Sequence, residues 1–344
     1  MLARALTMAI VRRRKRQGDG SLTNRDAGER NGSSARSAFA PGDTVASRYR
    51  IVRLIGSGGT GEVYEALDTA LGVSVALKAL KPSVAGSAIQ LERFRREIQS
   101  ARKVTHPNVC RIFDMGTQNR PGRDRFFLTM ELLAGPSLAE RIEGGDRYTP
   151  EEALPIAAQI ADGLDAAHKA GVIHLDLKPG NIMLLPPPTG RFAQRAVITD
   201  FGIALSEEQS EMRLTESDEL VGTPEYMAPE QAEPGPATPA TDVYALGLIL
   251  YEMLSLRRPF ESAGNALATV LVRRRSPPRP LQEVAPDVPT SWAAAIHRCL
   301  ERDPAQRFGS AGAVVAALRK EPPPDSTGSD PGTGFLGRLT RKLR

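Results

Sequence analysis

Val172–Leu184 reads VIHLDLKPGNIML, and it sets His174, Asp176, Lys178 and Asn181 close together between two apolar runs. A cluster of that kind asks what chemistry it serves. Leu175, an apolar residue in its midst, is the odd member. Nothing in the stretch answers by itself, so the reading works outward from it.

The chain has 344 residues, 41% of them hydrophobic and 25% charged, the balance of a soluble globular protein with one large or two ordinary domains. Cys110 and Cys299 lie far apart with no CxxC spacing, which suggests neither a disulfide framework nor a zinc site and favours a reducing, cytoplasmic setting. The net charge of +5 is concentrated in the tails: residues 1–40 hold nine Arg/Lys against three Asp/Glu, and the body between residues 41 and 320 is net acidic, with 34 acidic and 32 basic residues. An acidic body argues against a nucleic-acid partner. No apolar run reaches the length of a transmembrane helix. The N-terminal ALTMAIVRRRKR places its charges after a short apolar patch, the reverse of a secretory signal, and reads as a solvated basic tail.

Residues 12–44 are poor in large apolar side chains, so the whole of 1–44 is expected to be a disordered basic tail. Residues 319–344 read as a linker ending in FLGRLTRKLR, where Phe335, Leu339 and Leu343 at helical spacing leave open contact with anionic lipid or a frayed, solvated end. Between the tails the pattern changes once. From Tyr49 to about Leu133, YRIVRLI, EVYEAL, VSVALKAL and RFFLTMELL alternate as strands do, interrupted by one helical run, AIQLERFRREIQSARKV, with Leu91, Phe94, Ile98 and Ala101 on one stripe. From Leu138 onward helices dominate: Thr149-Pro150-Glu151-Glu152 is a capping box opening a helix, and the run from Asp242 to Ser255 is apolar nearly all round and belongs in a core.

IGSGGTGEV places Gly56, Gly58 and Gly61 as G-x-G-x-x-G after Ile55. The alternation of EVYEAL beyond it predicts a strand-loop-strand flap able to close over phosphates, where a dinucleotide fold would open a helix. An ordinary hairpin turn would carry the same glycines. Lys78 ends an apolar strand, a position that is usually a solvated edge. Glu97 borders the buried stripe of the helix, and a carboxylate there wants a counter-charge, for which Lys78 is the natural candidate. Asp200 in VITDFGIAL follows a strand and could be a simple turn former; together with Asn181 it offers two oxygen ligands of the kind Mg²⁺ accepts when a nucleotide completes the shell.

Gly56/Gly58/Gly61, VALK at 75–78, Glu97, HLDLKPGN at 174–181, DFG at 200–202 and APE at 228–230 stand in the order and spacing of the protein-kinase signature set, so the chain resembles the eukaryotic-type (Hanks-type) Ser/Thr protein kinases of bacteria over about residues 45–318. The resemblance implies an α+β, bilobal fold: a small antiparallel sheet lobe with one helix at 45–132 and a larger helical lobe at 133–318. It implies ATP and Mg²⁺ as cofactors and Ser/Thr-bearing proteins as substrates. Gly56, Gly58 and Gly61 would cover the phosphates, Lys78 held by Glu97 would bind them, and Asn181 and Asp200 would hold the metals. Asp176 would take the proton of the attacking hydroxyl, and Lys178 would neutralise the moving phosphoryl group. Ile55, Val63, Ala76 and Met183 would enclose adenine, with Met130 as gatekeeper and Glu131 to Leu133 as hinge. Thr223 would shape the acceptor site beside Asp176 and Lys178. Glu230 with Arg307 resembles the family's ion pair, and Asp242 the acid that ties the catalytic loop to the central helix, with a plain helix N-cap as the other reading.

Two features depart from the family. Leu175 replaces the arginine that receives a phosphorylated activation-loop residue, so catalysis is expected without phosphorylation of the 203–222 loop, Ser206, Ser210, Thr215 and Ser217 included; the rival account has Arg213 filling in. The segment PPPTGRFAQR before Asp200 is longer than a hairpin needs and reads as a surface excursion. A pseudokinase scaffold is the alternative to an enzyme, and retention of Lys78, Glu97, Asp176, Asn181 and Asp200 favours the enzyme.

Overall fold

The computed structural model describes residues 37–59, 61–81, 88–119, 124–186, 194–201, 224–232, 235–260 and 266–320, with backbone alone at 88–91, 93, 94, 97, 266, 267 and 271. Both tails before Ser37 and after Lys320, the excursion at 187–193 and the loop from Gly202 to Thr223 lie outside the described residues, and with them the expectations placed there.

The alternating runs of the first part become one antiparallel sheet in the order β1-β2-β3-β4-β6-β5. Its strands are β1 Thr44–Val45, β2 Tyr49–Ser57, β3 Gly61–Asp68, β4 Val73–Leu80, β5 Ile112–Gln118 and β6 Arg125–Met130. Period-two alternation sends Tyr49, Ile51, Tyr64, Ala66, Val75, Leu77, Ala79 and Phe127 to one buried cluster. Helix α1, Ala88–Ala101, interrupts the strands as expected, and Ile98 and Ala101 of its stripe are buried. Strand β5 was not legible, because IFDMGTQ carries only one apolar residue in its second half and a bulge beside Ile112 breaks its register.

The ordered body begins earlier than the composition implied. Phe39 is 3% exposed and meets Tyr64 edge to face at 5.7 Å between ring centres. Its N–H donates to Tyr64 Oη, and the N–H of Ala38 donates to a Glu62 carboxylate oxygen at 2.7 Å. Burying a phenylalanine stabilises by about 1.5–3 kcal/mol, enough to hold a short strap that has no other large apolar residue. Disorder as far as residue 44 is therefore corrected to order from Ala38.

In the second part α2, Leu138–Glu143, and α3, Pro150–Lys169, each open with a capping box, Ser137 with Glu140 and Thr149 with Glu152. The hairpin of β7, Ile182–Leu185, and β8, Arg195–Ile198, lies against α3. Helix α4 runs from Pro239, three residues before the expected start, to Ser255, and is buried at every position from Thr241 onward. Its N-cap is Thr238, which removes the plain-cap reading of Asp242. Helices α5 Ala266–Arg275, α6 Leu281–Val284, α7 Thr290–Cys299 and α8 Ala311–Leu318 surround it. A Cβ on Gly247 would stand 2.5 Å from that of Cys299, so glycine there lets α4 and α7 cross closely. Asn108 joins the parts: its Nδ2 donates to the Ala196 carbonyl at 2.7 Å and to Gln159 at 3.0 Å, while Cys110 N–H donates to Ile198 C=O at 2.8 Å. That knot fixes the β7–β8 hairpin, and so Asn181 and Asp200 at its two ends, against the sheet.

Candidate active site

The catalytic-loop segment is shaped by one buried acid. Asp242 on α4, 1% exposed, accepts the N–H of His174 at 2.8 Å through Oδ2 and that of Leu175 at 3.0 Å through Oδ1. His168 Nε2 meets the same carboxylate at 2.7 Å. The sequence reading missed His168; its place near the end of α3, eight residues after the buried Ile160 face position, is the signal that could have found it. His174 is fully buried, its Nε2 against the Thr199 carbonyl at 2.9 Å and its Nδ1 receiving the Asp176 N–H at 3.3 Å. The nitrogen facing a carbonyl must carry the proton, so the ring is a neutral tautomer locked between the loop and the strand leading to Asp200.

Leu175 sits at φ +66°, left-handed backbone that costs a non-glycine residue roughly 1–2 kcal/mol. Two side chains hold it there: Asp242 takes its N–H, and Gln231 Nε2 donates to its carbonyl at 3.0 Å. The bend belongs to the backbone and its buried anchors, so the identity of the side chain at 175 does not set it.

Beyond the bend, Lys178 Nζ lies 2.7 Å from Asp176 Oδ2, and Asn181 Nδ2 donates to the Asp176 carbonyl at 2.8 Å and to its Oδ2 at 3.3 Å. With its amide nitrogen so committed, Asn181 turns an Oδ1 that accepts no hydrogen bond among the described residues. Asp200, also left-handed at φ +60°, presents Oδ2 to Lys78 Nζ at 2.8 Å. Phe201 is buried, its ring 4.6 Å from that of His174. Lys78 is 3% exposed, and an unpaired ammonium at that depth would cost several kcal/mol. Its described partner is therefore Asp200; the side chain of Glu97, the expected partner, lies outside the described residues.

Above this group β2 and β3 form the expected flap, with Gly56 opposite Val63, Ser57 opposite Glu62, and Gly58 N–H bonded to Gly61 C=O at 2.9 Å. A Cβ on Gly61 would stand 2.2 Å from the Ala79 carbonyl oxygen, whereas one on Gly56 or Gly58 would meet nothing within 4 Å among the described residues. Gly61 is demanded by the sheet; the first two glycines leave a backbone open to a bulky ligand. An apolar cluster of Ala76, Cys110, Met130 and Val197, with Val63, Leu132, Leu133 and Leu185 against it, lies under the flap. Met183 is half-buried on β7, and Ile55, at 45% exposure, lies on the flap. In the following segment Glu131 N–H is taken by the Arg111 carbonyl, while the Leu133 N–H makes no hydrogen bond among the described residues. An unengaged donor beside an apolar slot suits the polar edge of a purine.

The donor set fits Mg²⁺ in company with phosphates. Among the described residues no three His, Cys, Asp or Glu side chains cluster as a self-sufficient metal site. Asn181 Oδ1 and an Asp200 oxygen are hard ligands that leave most of an octahedron to phosphate and water.

The sequence pattern of the protein kinase domain family matches residues 49–318. The chain is 38% identical over 294 residues to the serine/threonine-protein kinase PknA of Mycobacterium tuberculosis, covering 83% of this chain and 65% of that protein. It is 34% identical over 278 residues to the serine/threonine-protein kinase PrkC of Bacillus subtilis, covering 81% of this chain and 41% of the other. The chain thus spans less than two thirds of these relatives. The crystal structure of the Mycobacterium tuberculosis PknI kinase domain superposes with a TM-score of 0.64 at 27% identity, covering 82% of this chain and 98% of that one. Among the described residues no helix is long and apolar enough to cross a membrane.

Proposed function

The chain belongs to the protein kinase domain family, alongside the bacterial serine/threonine kinases it resembles, and from that premise we propose that it transfers the γ-phosphoryl group of ATP to serine and threonine hydroxyls of proteins. The observation that carries the reading is the convergence of Lys78, Asp200, Asn181, Asp176 and Lys178 beneath a glycine flap. When bound, Mg²⁺-ATP supplies the transferable group and disperses its charge.

The residues of the chain do the rest. Lys78 holds the α and β phosphates with Gly56, Gly58 and Gly61 above them, and Asn181 and Asp200 hold the cations. Asp176, its carboxylate oriented by Asn181 and Lys178, accepts the proton of the acceptor hydroxyl. Lys178 then offsets charge on the phosphoryl oxygens. Ile55, Val63, Ala76 and Met183 enclose adenine beside Met130, with Glu131 and Leu133 hydrogen-bonding its edge. Glu97 steadies Lys78 once nucleotide draws it from Asp200. The catalytic unit covers residues 45–318 with the strap from Ala38, and it works in the cytoplasm.

Activity does not wait on phosphorylation of the loop after Asp200. Leu175 cannot bind phosphate, and its backbone is already held by Asp242 and Gln231. Labelled ATP with Mg²⁺ and a protein acceptor tests both statements. Wild type should label the acceptor and Asp176→Ala should not; equal labelling would refute the enzyme reading. Replacing Ser206, Ser210, Thr215 and Ser217 together by Ala should leave labelling largely intact, and a loss of about a hundredfold would refute independence from the loop.

A further inference from the structure

Helix α5 ends in three consecutive arginines with different fates: Arg274 and Arg275 are exposed, whereas Arg273 is 3% exposed. Its Nη1 donates to the carbonyls of Pro224 at 2.6 Å and Met227 at 2.5 Å, and its Nη2 to that of Glu225 at 2.5 Å. Phe260 lies 5.7 Å from the guanidinium carbon. No carboxylate oxygen bonds this cation among the described residues; three backbone dipoles from a four-residue turn converge on it. Burying a charge on such terms is costly, and the planar fork of a guanidinium spreads its donors over three carbonyls from one rigid group.

The turn it grips runs directly into an anchored segment. Thr223 directly precedes the turn. Just beyond it, Gln231 receives the Ala228 N–H and donates to the Leu175 carbonyl, while Glu230 is held bidentately by Arg307 at 2.7 and 2.8 Å. Within it Tyr226 Oη bonds Glu252, and Arg258 lies against Glu252 at 3.5 Å and Glu225 at 3.9 Å. Side chains thus fix the segment beyond the turn, and the carbonyls of Pro224, Glu225 and Met227 are held by Arg273. The groups facing nucleotide are held otherwise, by β4, by the β7–β8 hairpin and by Asp242, none of which Arg273 touches.

We propose that Arg273 is a positioning residue for the protein acceptor: it sets the backbone shape of Pro224–Met227, against which the acceptor chain docks, without acting on the nucleotide. This rests on the kinase reading above. It makes α5 the helix through which acceptor binding is tuned.

Steady-state phosphorylation of a protein acceptor, ATP hydrolysis without acceptor, and amide exchange across the 224–228 segment test it on wild type, Arg273→Lys, Arg273→Ala and the exposed control Arg275→Ala. The acceptor KM should rise about tenfold or more in both Arg273 variants, with KM for ATP and hydrolysis within about twofold of wild type. Exchange at 224–228 should quicken in Arg273→Lys, and added guanidinium should lower the acceptor KM of Arg273→Ala. A wild-type acceptor KM in Arg273→Lys, a parallel fall in ATP hydrolysis, or unchanged exchange would overturn it. Should wild type itself neither phosphorylate nor hydrolyse, the kinase reading fails, and the exchange comparison alone decides whether Arg273 holds the turn.

Discussion

Lys78 Nζ and Asp200 Oδ2 lie 2.8 Å apart although 122 residues separate them in the chain. One ends a strand of the sheet and the other follows the β7–β8 hairpin, so the pair closes the gap between the two parts of the molecule. Without a nucleotide each charge neutralises the other. The cost of burying Lys78 is thereby offset while its ammonium stays where phosphates would draw it away.

Lys78→Met should lower kcat/KM by about a hundredfold or more, because it removes the charge that orients the phosphates. It leaves Asp200, 30% exposed on its side chain, free to hydrate, so the fold should survive. Steady-state kinetics beside a thermal melt separates the two effects.

Asp242→Ala strands the N–H groups of His174 and Leu175 and the ring of His168 in the interior. A loss of about 3–5 kcal/mol is expected, as for breaking other buried charged networks. Urea titration reads the loss, and phosphotransfer should fall with it, since Leu175 then keeps only the Gln231 bond to hold its left-handed bend.

The glycines of the flap should answer differently to alanine. Gly61→Ala drives a methyl into the Ala79 carbonyl and should destabilise by about 1–3 kcal/mol. Gly58→Ala meets nothing within 4 Å among the described residues and should melt as wild type does while raising the KM for ATP. Equal melting temperatures for the two variants would contradict this reading.

Burial pushes both thiols up to about 12 from an ordinary value of 9.0, Cys110 beside the Glu131 carbonyl and Cys299 against α4. The folded chain therefore keeps thiol protons that the unfolded chain releases. Their contribution to stability is complete below about pH 9 and declines as pH climbs from there toward 12. Urea midpoints at pH 7.5 and 9.5 should differ more for wild type than for a Cys110→Ala/Cys299→Ala double variant, and alkylation at pH 8 should label the chain only after unfolding.

Much of this architecture is legible in the sequence because its chemistry sits in contiguous, well-spaced motifs. Lys78, the 174–181 cluster and Asp200 stood out as a set only through the order and spacing in which they resemble the protein-kinase signature, while the flap strands were readable from their periodicity. So was the central helix, from its unbroken apolar run. Arg273 was not: in an Arg-Arg-Arg helix end nothing marks which residue turns inward, and a solvated terminus is the ordinary reading. His168 and Gln231 escaped for a related reason, since each acts on a distant segment, His168 on the Asp242 carboxylate and Gln231 on the Leu175 carbonyl, and leaves no local pattern. Phe39 lay among Ser, Arg, Ala and Gly, too isolated to signal burial.

The strap at Ala38–Phe39 changes where the working protein begins. A shortened chain starting at Tyr49, where the family match opens, would keep every motif and lose the plug over Tyr64 together with the N–H that engages Glu62. Glu62 is the residue after Gly61, so such a cut would slacken the hinge of the flap and loosen nucleotide capture from a point with no chemistry of its own.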